Sequence, residues 1–157
     1  MAQANWLRMS STSKVILGVV FLMVGCAIYL LFRSKSLNIY LWCSALGLTS
    51  IIDYSRIFVN NWSIPDFVKF SLPDGLYCAA YILIMDAIWE KDESTIKHFI
   101  ISLAPALTIL FEILQYFGVV KGTFDFRDLV FYGVPFMAYY FCKYYSFKFN
   151  NFKNQRL

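Results

Sequence analysis

Four polar side chains stand at matched spacing in the last third of the chain: Glu112 with Gln115, then, nine residues on, Asp125 with Asp128. Residues three apart on a helix share a face. Glu112 and Gln115 should therefore point the same way, as should Asp125 and Asp128 if they open the next helix. A turn at Gly122 would return the second pair beside the first. Carboxylates gathered in an apolar setting resist ionisation, and one of them is then suited to act as general base or acid. On this reading Glu112, Asp125 and Asp128 are the candidate catalytic groups. Gln115, Arg56, Asp74, Lys121 and Arg127 are the candidate substrate-binding groups around them.

Each of these residues also has a structural role open to it. Asp125 as N-cap with Asp128 in the first turn is what a helix start needs. Asp74 fits another helix start. Glu112 is too far inside its run to cap anything, but it could bridge to Arg127, Lys121 or Arg56. Three carboxylates can hold a hard cation, yet nothing in the spacing demands one, so no metal and no cofactor is expected. The chain has no nucleophile elbow, no H-E-x-x-H and no phosphate loop. Its one histidine, His98, opens the run that Glu112 closes, so the two should lie at opposite ends.

These groups are set in 157 residues that are 59% hydrophobic and 15% charged, with a mean hydropathy of +0.56. Soluble domains hold roughly 45–50% apolar and about 25% charged residues. The composition excludes a disordered chain, a nucleic-acid-binding arm and an ordinary soluble enzyme. It suits an all-α, polytopic transmembrane helical bundle of about five spans in a single domain. The spans read 15–32, 37–59, 73–89, 98–120 and 126–142, followed by a basic, aromatic tail over 143–157.

The first run is flanked by Lys14 and Arg33 and has no small-x-small cleavage site after it, so it reads as an uncleaved anchor. Gly18 and Gly25 on one face would admit a close neighbour. In the second run Asp53 and Arg56 share a face and could pair. The third opens on Ser71-Leu72-Pro73-Asp74, a helix-start pattern. Pro105 interrupts the fourth, and Pro135 the fifth. Glu112 stands about eight residues, roughly 12 Å, inside the fourth run. A carboxylate at that depth costs a few kcal/mol or more unless paired, hydrated or protonated. Four cysteines, Cys26, Cys43, Cys78 and Cys142, are dispersed in apolar runs and read as packing residues.

Five spans would put the chain head, the 53–75 loop and the 121–127 turn on one side. The other side would hold the larger share of Lys and Arg, which favours a cytoplasmic C-terminus. The expected location is the cell inner or plasma membrane, multi-pass.

The pattern Glu112-x-x-Gln115, a short turn, then Asp125-x-x-Asp128 resembles the VanZ-like family of small bacterial membrane proteins, over residues 108–140. That family carries an acidic, glutamine-containing motif across its last two spans. Its usual arginine before the first aspartate is here Lys121-Gly122-Thr123. Its usual asparagine before the glycine is here Tyr132. The resemblance implies an envelope protein whose acidic pocket binds or modifies a lipid-linked or cell-envelope group. Two other functions fit the same residues. One is a non-enzymatic homo-oligomeric effector or channel of a defence or toxin system, with Asp86 or Glu112 on its axis. The other is a membrane anchor that recruits a soluble partner through the Glu90–Thr95 turn or the tail.

Overall fold

A computed structural model of the chain describes residues 9–92 and 94–154, with side chains up to residue 145. Among the described residues there are seven helices and no strand: α1 (Ser11–Phe32), α2 (Asn38–Ala45), α3 (Thr49–Val59), α4 (Asp66–Phe70), α5 (Leu72–Ile88), α6 (Thr95–Tyr116) and α7 (Phe126–Asn154).

Local chemistry sets the boundaries. Ser10 caps α1, its hydroxyl accepting from the Ser13 N–H at 3.2 Å. The apolar run 37–59 is expected as one span, but it is two helices. The break is at Gly47, whose φ of 73° is left-handed. The Gly47 N–H bonds the Ser44 carbonyl at 3.0 Å and the Leu48 N–H bonds that of Cys43 at 2.9 Å. This paired arrangement closes α2. At about 1.5 Å per residue, α2 and α3 reach only about 12 and about 17 Å. Neither can cross a hydrocarbon core of about 30 Å. The fold therefore does not confirm five spans. Among the described residues, α1 and α6 are long and apolar enough to cross a membrane by length and composition.

The bundle has four long helices. α5 is central, packing on α1, α7 and α6, while α6 also packs on α7. Gly18 of α1 meets Ala80 and Ile84 of α5, and Gly25 meets Tyr77, so α1 and α5 run antiparallel. The close neighbour those glycines admit is thus a helix of the same chain. Cys78 lies beside Tyr132, and Asp86 beside Tyr139, so α5 and α7 run parallel. Ser102 meets Tyr140 across α6 and α7. One end of the bundle holds the start of α1, the 89–94 turn and the middle of α7. The opposite end holds α2–α4 and the 117–125 turn. The 53–75 and 121–127 segments do share an end, as expected. The start of α1 does not join them, because it stands at the end of the 89–94 turn.

Helix α7 runs on past Cys142, so residues 143–154 continue a helix instead of forming a separate tail. The remainder of the expected tail, and the side chains beyond residue 145, lie outside the described residues.

The usual inside–outside order is inverted. Cys78, Ile82, Ile101 and Tyr139 form the core. Met23, Phe99, Val134 and Met137 are each more than 60% exposed. Meanwhile Lys14, Asp86, Lys97 and Glu112 are buried. A water-soluble protein rarely leaves contiguous apolar surface of this kind uncovered.

The glycine contacts predict two opposite outcomes. A Cβ on Gly25 would stand 2.8 Å from the Tyr77 ring. Gly25→Leu should therefore destabilise the bundle by about 1–3 kcal/mol. Gly133, in mid-α7, has nothing within 4 Å. Gly133→Ala should stabilise by about 0.5–1 kcal/mol. Thermal unfolding of both variants in detergent checks the pair.

Candidate functional site

Two buried polar clusters occupy opposite ends of the bundle. The first is the one expected from sequence. Glu112 sits on the last turns of α6, Asp128 on the first turn of α7 and Asp74 on the first turn of α5. Gly75 lets α7 approach α5 there, since a Cβ would stand 3.0 Å from Phe131. Asp74, Glu112 and Asp128 then interact electrostatically, with Tyr132 beside them.

The chain returns from α6 to α7 through a second left-handed glycine. Gly118, at φ 70°, bonds Gln115 at 3.0 Å, and Val119 bonds Leu114 at 2.9 Å. Gly122 then passes so close to the Gln115 amide that a Cβ would fall within 2.6–3.0 Å of it. Gln115 thus packs on the turn. Asp125 caps α7, its carboxylate accepting from the Arg127 N–H at 2.9 Å. The Asp125 backbone N–H is directed at the Glu112 carboxylate.

Glu112 is 7% exposed, and its Oε2 is buried without a hydrogen-bond partner. Asp128 Oδ1 is in the same condition. Buried polar atoms are nearly always satisfied, so such exceptions call for an explanation. Ser71, expected to cap α5 with its side chain, also keeps an unpartnered buried hydroxyl. Helix α4 leads into α5 through Ser71 in helical conformation, which prevents that hydroxyl from folding back.

The remaining predicted groups stand apart. Lys121 and Arg127 are exposed and bridge to no carboxylate among the described residues. Arg56 neither pairs with Asp53 nor reaches Glu112. Its Nε donates to the Leu31 carbonyl at 3.2 Å and its Nη2 to that of Arg33, at the open end of α1. Asp53 pairs with Lys35 at 2.7 Å and with the Tyr40 hydroxyl. Hydrogen bonding to Asp53 raises the Lys35 pKa. The cation at the rim of the acidic cluster is Arg33, 3.9 Å from Asp74, with its Nη2 donating to the Phe70 carbonyl at 2.6 Å. Its place at the end of the first apolar run was the available sequence signal.

The second cluster was not anticipated as a unit. Asp86 Oδ2 accepts from Lys14 Nζ at 2.7 Å. Its Oδ1 faces Lys97 Nζ at 3.1 Å and accepts from the Tyr139 hydroxyl at 2.9 Å. Lys14, Asp86 and Lys97 side chains are each at most 6% exposed. Glu90 stands 3.6 Å from Lys14 and bonds the Ser11 hydroxyl. That hydroxyl, with Lys14, holds the Glu90 pKa below 4.5. His98 lies at this end, with Nε2 3.2 Å from Lys143 Nζ, and so far from Glu112.

Among the described residues, no three His, Cys, Asp or Glu side chains lie close enough to hold a metal ion. No protein-family model, no curated protein and no solved structure matches the chain. The four cysteines are free thiols.

Chemically, the two clusters differ. At the Asp86 end, Lys14, Lys97, Asp86 and Glu90 each have an opposite partner, so these four form a closed ion network. At the Glu112 end, three carboxylates face one guanidinium at its edge, and two oxygens remain unmet. The carboxylate oxygens without partners among the described residues lie at the latter end.

Asp86→Ala leaves two buried lysines without their common partner, which should cost about 3–5 kcal/mol. Lys97→Met leaves one lysine against one aspartate and should cost clearly less. Unfolding midpoints in detergent decide the order. The Glu90 contribution is a depressed-pKa case. It is fully present at neutral pH and should be lost as the pH falls below 4.5. Glu90→Gln should flatten that part of the stability–pH curve.

Proposed function

We propose that the protein is a multi-pass membrane protein of the bacterial envelope, similar to VanZ-like proteins. In this reading its acidic recess binds a polar group borne by a lipid-linked or wall-derived compound. Glu112 is the group that accepts a hydrogen bond or a proton from that ligand, with Asp128 and Asp74 beside it and Arg33 at the rim. The observation that carries the reading is Glu112 itself: a buried carboxylate with one oxygen unpartnered, within electrostatic reach of Asp128 and Asp74. A site rich in acceptors suits a ligand rich in N–H or O–H donors, such as an amine or a sugar.

Bilayer placement is supported by the apolar outer surface and the buried charges. If all four long helices cross the bilayer, both chain ends belong to one side. By chain order that side carries Arg8, Lys14, Lys91, Lys97, Lys143, Lys148, Lys153 and Arg156. The other carries Arg33, Lys35, Arg56, Lys69, Lys121 and Arg127. The positive-inside rule then favours cytoplasmic termini and a recess that opens toward the outer face.

Of the features an oligomeric channel would use, Gly18, Gly25 and Asp86 are engaged within one chain. Gly18 and Gly25 face α5, and Asp86 is enclosed by three other helices. The Glu90 end of the proposed partner-binding turn is likewise bonded to α1.

Native mass spectrometry of the protein purified in mild detergent tests the reading. Wild type should carry a donor-rich polar compound from the cell. Glu112→Gln and Asp128→Asn should each reduce its retention about tenfold, the effect of one charge-assisted hydrogen bond. Their unfolding midpoints should stay near wild type. An identical bound complement in wild type and both variants would rule the recess out as a binding site.

A further inference from the structure

A cavity of about 230 Å³ opens at the same end of the bundle as the acidic cluster and is lined by charges of the opposite sign. It lies between the end of α1 (Leu31, Phe32), the end of α3 with its following residues (Arg56, Asn60, Trp62) and Lys69 of α4. Arg56 is locked in its wall. Two of its three guanidinium nitrogens are committed to the Leu31 and Arg33 carbonyls. The third, Nη1, is buried and has no hydrogen-bond partner. A guanidinium cannot relieve that by losing its proton. Its hydrogen bond is still to be made, on a side chain that lines the cavity.

The surrounding charges leave that position open to an anion. Asp53 is committed to Lys35 and Tyr40. Asp66 reaches Lys69 only at 3.9 Å, with its own side chain 72% exposed. Lys69 is held one turn along α4, its carbonyl accepting from Arg33 Nε at 3.4 Å. Two cations thus line one concave space with no carboxylate among the lining residues. The cavity also stands where α1 ends, with Trp62 on its wall. An end of a spanning helix marked by tryptophan is the level of lipid headgroups.

We propose that this cavity binds a phosphate group, with Arg56 Nη1 and Lys69 Nζ as its donors. Planar guanidinium and ammonium donors converging on tetrahedral oxyanions are a recurrent arrangement. The proposal rests on the bilayer placement of α1 and is independent of any ligand in the acidic recess. The phosphate could belong to a lipid headgroup or be free in solution, and the two sources are separable.

The test uses the full chain in detergent with three probes: phosphatidylglycerol, phosphate-free galactosyl diacylglycerol and inorganic phosphate. Retention is read by native mass spectrometry, and stabilisation by the unfolding midpoint. Phosphatidylglycerol should be retained over the galactolipid. Lys69→Gln should lower that retention about tenfold, as should Arg56→Gln. The two lipids are compared in the Glu112→Gln background, so that the affinity proposed for the acidic cluster toward hydroxyl donors does not enter the comparison. If inorganic phosphate does not displace the lipid, the source is the headgroup. If inorganic phosphate alone stabilises wild type and not Lys69→Gln, the source is free phosphate. Equal retention of phosphatidylglycerol and galactolipid, with no effect of inorganic phosphate, overturns the proposal. So does a normally folded Lys69→Gln that binds all three probes as wild type does. Arg56→Gln also loses its bonds to α1, so Lys69→Gln decides if that variant fails to fold.

Discussion

The bundle is organised around one carboxylate. Asp86 of α5 receives Lys14 from α1, Lys97 from α6 and Tyr139 from α7. Each of the four long helices therefore contributes one group to a single buried network. Removing charges from water is costly, and the cost is recovered only when the geometry is close and every group is met. No single helix can satisfy its own member of the set. The polar contacts thus fix which helices meet, in which direction and at what height. Apolar packing alone would tolerate sliding along these smooth surfaces. Glycines on α1 supply the complementary constraint, since Gly18 and Gly25 let α5 approach closely enough for Lys14 to reach Asp86.

The opposite end is built on a different principle. There the chain makes its tight turns, at Gly47, Gly118 and Gly122, and carries its short helices. Arg33 joins the parts: it faces Asp74, donates to the carbonyls of Lys69 and Phe70, and offers its own carbonyl to Arg56. On one side of it three carboxylates gather. On the other, Arg56 and Lys69 line a cation-bearing cavity. Arg56 Nη1, Ser71 Oγ, Glu112 Oε2 and Asp128 Oδ1 are buried without hydrogen-bond partners at this end, and Ser94 Oγ at the other.

Much of this was legible in the residues. Long apolar runs bounded by charge located α1, α5, α6 and α7, because a helix that buries little polarity must be apolar over its length. The i, i+3 spacing of Glu112, Gln115, Asp125 and Asp128, with Gly122 between them, located the turn that brings Glu112 and Asp128 together. Less was legible where the same residues had two uses. Asp125 serves as a cap, Gln115 as packing on Gly122, and Arg56 as a clamp on α1. Run 37–59 read as one span because hydropathy registers apolar length and is blind to a left-handed glycine within it.

By itself the sequence determined that the chain is helical, apolar on its outside and poor in charge. It also determined that the few charges inside its runs must find partners. Those are consequences of composition and period, which local interactions enforce. Only the tertiary structure decided which partners they find. Lys14, Asp86 and Lys97 are far apart along the chain, and the pairing depends on helix direction and depth. Direction, in turn, followed from the count of long helices. With four long helices, the start of α1 stands beside the 89–94 turn and Lys14 against Asp86. Glu112 was left at the other end, with no cation among the described residues close enough to bridge it.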